Sequence, residues 1–373
     1  MSRFAYGMAV AVTAVVVSAV PAAFAQEQEL PPLEKLQKAF ERAKEGLNPS
    51  STEGPPQLKE VARITGLDDW AVAVAFSPDG KQLAVGSYDE VRLYDSSSQE
   101  LLKTLKTRKG YARSLAWTPD GTRLIVGEYQ SISIWDTARG KRVKRLRGHR
   151  GYVTALVVSD DALVSGSLDG TVRRWNWGDG ENSVIADFGD IPVQDVAASL
   201  DGTLLAVAIG DETAVTEPGP IVLLDPVAGE EQHRFEPHLK AALAVEFAGE
   251  RLISGGEDEI ILIHDVPGRQ TIAKNSEHSR PINDFVVLQD GVTIASASGG
   301  RAVKKNEIFV WSSLDGEVSG MVEGHAKKIT SLAISPDGRT LASGSVDKTV
   351  ALWDLVPIVG PRPPVEAKRP DMP

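Results

Sequence analysis

Six histidines are the first residues in this chain that invite chemistry: His149, His233, His238, His264, His278 and His325. Imidazole is a common metal ligand, but compact zinc sites draw their ligands from closely spaced positions. Here His149, His238, His278 and His325 each stand alone, a few residues ahead of a separate apolar run. One imidazole per segment fits a structural post in each segment, so no metal is expected. The chain has no His-Glu-x-x-His, no Gly-x-Ser-x-Gly and no phosphate-cradling glycine loop. It also has no cysteine, which removes thiolate zinc, covalent haem and a cysteine nucleophile. No catalytic residue and no cofactor is expected.

The elements that position these histidines recur. A phrase of roughly 40–45 residues appears seven times, ending at Tyr94-Asp95, Trp135-Asp136, Trp175-Asn176, Leu224-Asp225, His264-Asp265, Trp311-Ser312 and Trp353-Asp354. Most copies run in one order: an alternating apolar run, a tight turn, a second apolar run, an acidic turn and a third run into the closing pair. Ser77-Pro78-Asp79-Gly80, Thr118-Pro119-Asp120-Gly121, Leu200-Asp201-Gly202 and Ser335-Pro336-Asp337-Gly338 are the tight turns. In them proline presets φ and glycine takes the positive φ that reverses the chain. Each copy therefore predicts an antiparallel meander.

These residues resemble the WD-repeat family over about residues 61–355. The resemblance implies an all-β, seven-bladed propeller with four strands per blade. It also implies a buried tetrad in each blade, made of a lead-in His, a second-strand Ser or Thr, a turn Asp and a third-strand Trp. His149, Ser165, Asp169 and Trp175 match in the third copy, and His325, Ser343, Asp347 and Trp353 in the seventh. The fifth copy has His238, Ser254 and Asp258 with His264 in place of Trp, and the sixth has His278, Ser296 and Trp311 with its Asp displaced by an insertion. Copies one, two and four lack the lead-in His. The stretch Lys-Glu-Val-Ala-Arg-Ile-Thr-Gly-Leu at 59–67 resembles the fourth strand of a blade yet precedes the first copy, so it is expected to complete the last blade and close the ring.

Outside the repeats, residues 1–25 carry one basic residue, Arg3, then an uncharged apolar run and Ala23-Phe24-Ala25, the pattern of a cleaved secretory signal. That reading places the mature chain in the periplasm or outside the cell, as an exported bacterial-type protein. An uncleaved anchor is the alternative. Residues 26–58 form a polar, proline-bearing linker in which Leu33, Leu36, Phe40, Ala43 and Leu47 predict an amphipathic helix over 33–47. Residues 356–373 are proline-rich and predict an extended, disordered tail.

Without the first 25 residues the chain carries 39 Lys and Arg against 51 Asp and Glu. A net acidic chain lacks the phosphate-neutralising charge that nucleic-acid binding draws on. One stretch runs the other way: Arg139, Lys141, Arg142, Lys144, Arg145, Arg147 and Arg150. It reads first as a solvated edge strand whose charge deters pairing, and second as a contact for anionic lipid or an acidic partner.

Two functional classes follow. The first is a non-catalytic scaffold that binds a protein or peptide. Aligned on their first strands, copies one to three carry Trp70, Tyr111 and Tyr152 at one position, and Tyr88 and Tyr129 precede the third strands of copies one and two. Tyrosine and tryptophan join apolar area to a polar tip and are enriched, with arginine, at binding hot spots. These five, framed by Arg113 and Arg150, are the candidate partner site. The second class is a channel enzyme or small-molecule binder, similar to lactonases or quinone-dependent propellers, with a Tol-system-like propeller as a further alternative. Its sequence support is Asp195 and Asp284, which fall at matching positions in two first strands and would suit a cation.

Overall fold

The computed structural model describes residues 14–16, 56–159, 162–176, 180–214, 217–235, 237–300 and 306–360. The expected helix at 33–47 and the tail from 361 onward lie outside them, as does the expected signal peptide apart from Ala14–Val16.

The alternating apolar runs pair as antiparallel meanders. In the first, Ala73–Phe76, Gln82–Gly86, Tyr88–Asp95 and Leu101–Tyr111 follow one another across a four-stranded sheet. Its opening hairpin shows why the turn residues matter. The Gly80 N–H donates to the Ser77 carbonyl at 2.8 Å, Ser77 Oγ donates to Asp79 Oδ1 at 2.7 Å, and Gly80 sits at φ 71°. Ser335, Asp337 and Gly338 repeat that arrangement.

The strands form six hydrogen-bonded sheets rather than the seven separate blades expected, five with four strands and one with seven. The cause is one unbroken strand, Lys141–Val158. Its first part pairs with the second repeat, Lys141 opposite Asp136 and Arg147 opposite Ser131. Its last part pairs with the third, Val158 opposite Leu163 and Val153 opposite Ser167. Two successive repeats are thereby joined in one sheet. Ala14–Val16 lies parallel beside the last part of the same strand.

The N-terminal strand Glu60–Ile64 closes the ring by pairing with Val350–Asp354 of the last repeat, Ile64 opposite Val350 and Glu60 opposite Trp353. Ile64 and Leu67 then bury in a core shared by the first and last sheets, with Val74, Leu83, Ala342 and Leu352. The preceding residues do more than the sequence suggested. Leu58 donates its N–H to the Met321 carbonyl at 2.9 Å, and Met321 donates to the Pro56 carbonyl at 3.0 Å. This adds a parallel fifth element to the outer edge of the sixth repeat. Residues 356–359, expected within an extended tail, instead form the short helix Val356–Val359, and Ile358 packs on the core that holds Leu58.

Side chains on the innermost strands bond to the backbone of the next repeat. Ser114 Oγ donates to the Val153 carbonyl at 3.1 Å, Thr154 Oγ1 to the Val193 carbonyl at 2.8 Å and Asn283 Nδ2 to the Ile329 carbonyl at 3.0 Å. At the closing seam Thr330 Oγ1 donates to the Ala71 carbonyl at 2.5 Å, and Ser331 Oγ accepts from the Val74 N–H at 3.2 Å. Asp195 and Asp284 belong to this belt, which corrects the cation reading. Asp195 accepts from Val196 N–H at 2.8 Å and, across the junction, from Val245 N–H at 2.9 Å. Asp284 accepts from Phe285 N–H at 2.8 Å and from Leu332 N–H at 2.7 Å. Both are fully buried, and no cluster of metal-ligating side chains occurs among the described residues. Glu246, next to Val245, is pushed up to about 8 by burial, with Asp195 adding to the shift.

Two measurements check these contacts. A chain starting at Pro56 should melt with the full chain, whereas one starting at Leu67 should melt at a clearly lower temperature because the last sheet loses its fourth strand. Asp195→Asn and Asp284→Asn should each cost about 1–3 kcal/mol in denaturant unfolding, since an amide cannot accept both backbone N–H groups. Neither should change calcium uptake measured by calorimetry.

Candidate functional site

Two of the repeats hold the four-residue brace that the resemblance implied. In the third, His149 Nδ1 lies 3.0 Å from Asp169 Oδ2 and Nε2 lies 2.7 Å from Ser165 Oγ, while Trp175 Nε1 donates to that hydroxyl at 2.8 Å. His325, Asp347, Ser343 and Trp353 repeat this at 2.9, 2.8 and 2.8 Å. The carboxylate accepts only, so it draws the imidazole proton to Nδ1. Nε2 then accepts from serine, whose oxygen accepts from tryptophan. Burial pushes Asp169 up, but hydrogen bonds from His149, Thr171 and the Arg150 N–H outweigh it and hold the carboxyl well below its usual range. The imidazole itself is committed to the protein interior and has no open face for substrate or metal.

The fifth repeat reaches the same end with a different residue, and the sixth keeps only the histidine, serine and tryptophan part of it. His264 takes the place of Trp and lies with Nε2 2.9 Å from Ser254 Oγ, which is 2.9 Å from His238 Nε2; His238 Nδ1 is 3.0 Å from Asp258. Thr271 Oγ1, 3.0 Å from His264 Nδ1, completes the chain. Starting from Asp258, each proton position is set in turn, so His264 donates through Nε2 as the tryptophan would. Burial lowers its pKa to about 3 and keeps the ring neutral. In the sixth repeat His278 Nε2 is 2.7 Å from Ser296 Oγ, which also accepts from Trp311 at 3.0 Å. The aspartate missing from the sequence pattern has no full substitute: Glu307 is almost buried but stays 4.0 Å from His278 Nδ1, which has no hydrogen-bond partner among the described residues, and its carboxylate accepts from Ser279 Oγ at 3.3 Å. Its position after the insertion was the available signal.

Repeats one and two show what replaces the brace. Where the tetrad would need serine they have Val85 and Val126, and the Trp135 indole N–H has no hydrogen-bond partner. Instead their third and fourth strands stay paired beyond the usual turn, and each places one tyrosine opposite another: Tyr88 with Tyr111 and Tyr129 with Tyr152. Asp89 and Gln130 take the bulge at φ 63° and 61°. Asp89 Oδ1 accepts from the Gly110 N–H at 2.8 Å, and Gln130 Nε2 donates to the Arg150 carbonyl at 2.9 Å.

The candidate aromatic residues are brought together. Trp70 stacks on Tyr111 with centroids 5.4 Å apart and planes 14° from parallel; Tyr88 meets Tyr111 edge-on at 5.2 Å, and Tyr129 lies 5.0 Å from Tyr152. The two groups adjoin at Gly110, where a Cβ would sit 3.0 Å from the Tyr152 hydroxyl. Gly110 also holds φ 128°, so the close approach and the backbone both select glycine. Tyr88 and Tyr129 are 42% and 46% exposed, whereas Trp70, Tyr111 and Tyr152 are partly buried beneath them. The Tyr111 hydroxyl reaches Asp69 Oδ1 at 3.3 Å, and burial together with that carboxylate pushes it well above the usual tyrosine range.

Of the two framing arginines only Arg150 is exposed. Arg113 is buried with its guanidinium 4.8 Å from the centre of the Tyr152 ring, which makes it a support under the rim rather than a contact on it. The reason is its place on the chain next to the innermost strand Ser114–Trp117.

Comparison with known proteins bears on the repeats. The WD domain, G-beta repeat family matches residues 59–95, 99–136, 140–176 and 316–354. WD repeat-containing protein 1 of Bos taurus is 30% identical over 204 residues, which span 52% of this chain and 30% of that protein. WD repeat-containing protein 82 of Drosophila melanogaster is 36% identical over 118 residues, 30% of this chain and 35% of that protein. The chain thus spans about a third of the length of the curated relatives it matches. These relatives are eukaryotic, so the similarity supports the repeat and not the exported bacterial-type setting expected from the N-terminal residues. With the meanders, the closing strand and the two complete tetrads already in view, the chain is similar to WD40-repeat β-propellers over these four matched segments.

Proposed function

We propose that the protein is a non-catalytic scaffold whose aromatic rim, across repeats one to three, holds a protein or peptide partner. The observation that carries this reading is the contiguous layer of Trp70, Tyr88, Tyr111, Tyr129 and Tyr152, with the two tyrosines least buried at its crest. Exposed tyrosine on a rigid bed offers large contact area at low entropic cost. WD40 propellers commonly bind proteins and are generally non-catalytic, which agrees with this assignment. The merged sheet, in this proposal, serves as two blades of a seven-unit ring, and its unbroken strand makes the bed stiff where the partner lies.

We also propose export, with cleavage after Ala25; the support is the basic residue, apolar run and Ala-Phe-Ala sequence at the start of the chain. Intact-mass measurement of the protein made in a Gram-negative host should give a chain beginning at Gln26, and a mass retaining Met1 refutes cleavage.

For the rim, replacing Tyr88 and Tyr129 together with Ala should weaken a captured partner by at least about 2 kcal/mol. Because both rings are substantially exposed, the melting temperature should stay within a degree or two of wild type. A folded double variant that retains its partner at full strength removes the rim as the site.

A further inference from the structure

Charge is distributed very unevenly along this chain. Between residues 101 and 150 there are thirteen Lys and Arg against three Asp and Glu, in a protein whose net charge is −11. That stretch supplies the outer strands of the first two repeats, Leu101–Tyr111 and the first part of Lys141–Val158. The two edges touch. Lys103 Nζ donates to the Ala138 carbonyl at 2.8 Å, and a Cβ on Gly140 would meet Lys103 Cδ at 3.4 Å. Burial lowers the pKa of Arg145, Glu128 opposes this, and the nearby cations Arg142, Arg108 and Arg147 add to the lowering, so both strands contribute to one field.

Some of this charge is used internally. Arg145 lies 3.7 Å from Glu128, Arg139 lies 3.5 Å from Asp136, and Arg142 rests over the Trp135 ring at 5.8 Å. Lys141, Arg142 and Arg147 are exposed and have no ion-pair partner among the described residues. Between them stand exposed apolar side chains, Leu101, Leu102 and Val143, each about half accessible. Along residues 141–147 one side pairs with the third strand of the second repeat; no described strand pairs with the other, which is touched at its end where Asn182 Nδ2 approaches the Arg147 carbonyl at 3.5 Å.

Deterring edge pairing is one use of Lys and Arg on an outer strand. It does not account for the density here, because the outer strand of the third repeat, Asn182–Asp187, carries no Lys or Arg at all. The same molecule also shows that an outer edge of this ring accepts an added element, since Gln57 and Leu58 lie parallel on the edge at Met321. We infer that the outer edge at residues 141–147, with the adjoining edge of the first repeat, takes an acidic extended segment of another protein as an added strand. Backbone pairing supplies the register, Val143 with Leu101 and Leu102 supplies apolar contact, and Lys141, Arg142 and Arg147 select carboxylates and reject basic strands. Charge and an open edge carry this inference, and it stands apart from the aromatic rim.

The probe is a fluorescent decapeptide of alternating Glu and Val, titrated with the full chain and read by anisotropy. Wild type should bind it, and binding should weaken steeply as salt rises through the range where the Debye length falls from about 10 Å to about 3 Å. Lys141→Glu with Arg147→Glu, both at exposed positions, should weaken it at least about tenfold without moving the melting temperature. Tyr88→Ala with Tyr129→Ala should leave it unchanged. A peptide of the same sequence with alternate backbone nitrogens methylated should lose binding, because it keeps the charge and lacks the donors. The inference is overturned if the wild-type chain does not bind the peptide, if the folded charge-reversed variant binds it as wild type does, or if the methylated peptide binds equally well. It is also overturned if vesicles of phosphatidylglycerol bind the edge while the peptide does not, or if sedimentation shows a low-salt dimer that the charge reversal abolishes.

Discussion

A ring of radially packed sheets is held by the contact between its first sheet and its last. Every other junction here joins consecutive repeats, but the seam joins Ala71 and Val74 to Thr330, Ser331 and Ser345 from the opposite end of the sequence. Two devices secure it. The strand Glu60–Ile64 supplies the last sheet with its fourth member, and the inner belt of side-chain hydrogen bonds continues across the seam as it does elsewhere. Dense packing leaves little slack in this arrangement. A Cβ on Gly166 would meet Val193 and Val196 of the next sheet at 2.7 Å, so even a methyl group at such a position would push neighbouring sheets apart.

The tetrads explain why this fold tolerates so many irregular repeats. What a repeat needs at that point is a buried serine hydroxyl satisfied on both sides, and the chemistry of the partners matters more than their identity. His264 donates where Trp175 and Trp353 do, and in the sixth repeat His278 and Trp311 satisfy Ser296 although Glu307 stays 4.0 Å from His278 Nδ1. Where valine removes the hydroxyl, no lead-in histidine is needed to satisfy it, although in repeat two the Trp135 indole N–H is left without a partner. In repeats one and two the lead-in loop has become paired strand, and its surface has become tyrosine. The candidate binding rim therefore occupies the part of the ring where the internal brace has been given up.

Much of this was readable from the residues. Period and turn type depend on local spacing, which a sequence displays, and the two complete tetrads were implied by the resemblance to the WD-repeat family. The closing strand was also legible, because residues 59–67 resemble the outer strands that follow in the chain. Features that depend on long-range placement were not. Nothing local marks Gln57 and Leu58 as the partners of Met321, or shows that Lys141–Val158 runs unbroken through two repeats. Asp195 and Asp284 looked like ligands because burial and carboxylate are shared by cation sites and by side chains that bridge backbones; only the positions of the Val245 and Leu332 amides tell the two apart. Arg113 was misjudged for a related reason, since its neighbour Tyr152 covers it from a strand forty residues away.

The closing strand also imposes an order of events. Glu60–Ile64 is made well before its partner Val350–Asp354, and most of the other described strands are made between them. Sheets built from consecutive residues can form as they appear, but the pairing that makes them a ring spans almost the whole chain and carries the loop-closure entropy of that span. Until it forms, the nascent protein is an open arc with an unpaired strand at one end and a three-stranded sheet at the other. Such ends invite pairing with a second chain. The same latch that stabilises the finished ring is thus the step at which an unfinished one is most exposed to domain exchange, and a cell that makes this protein must keep its two ends apart from those of its neighbours until they meet each other.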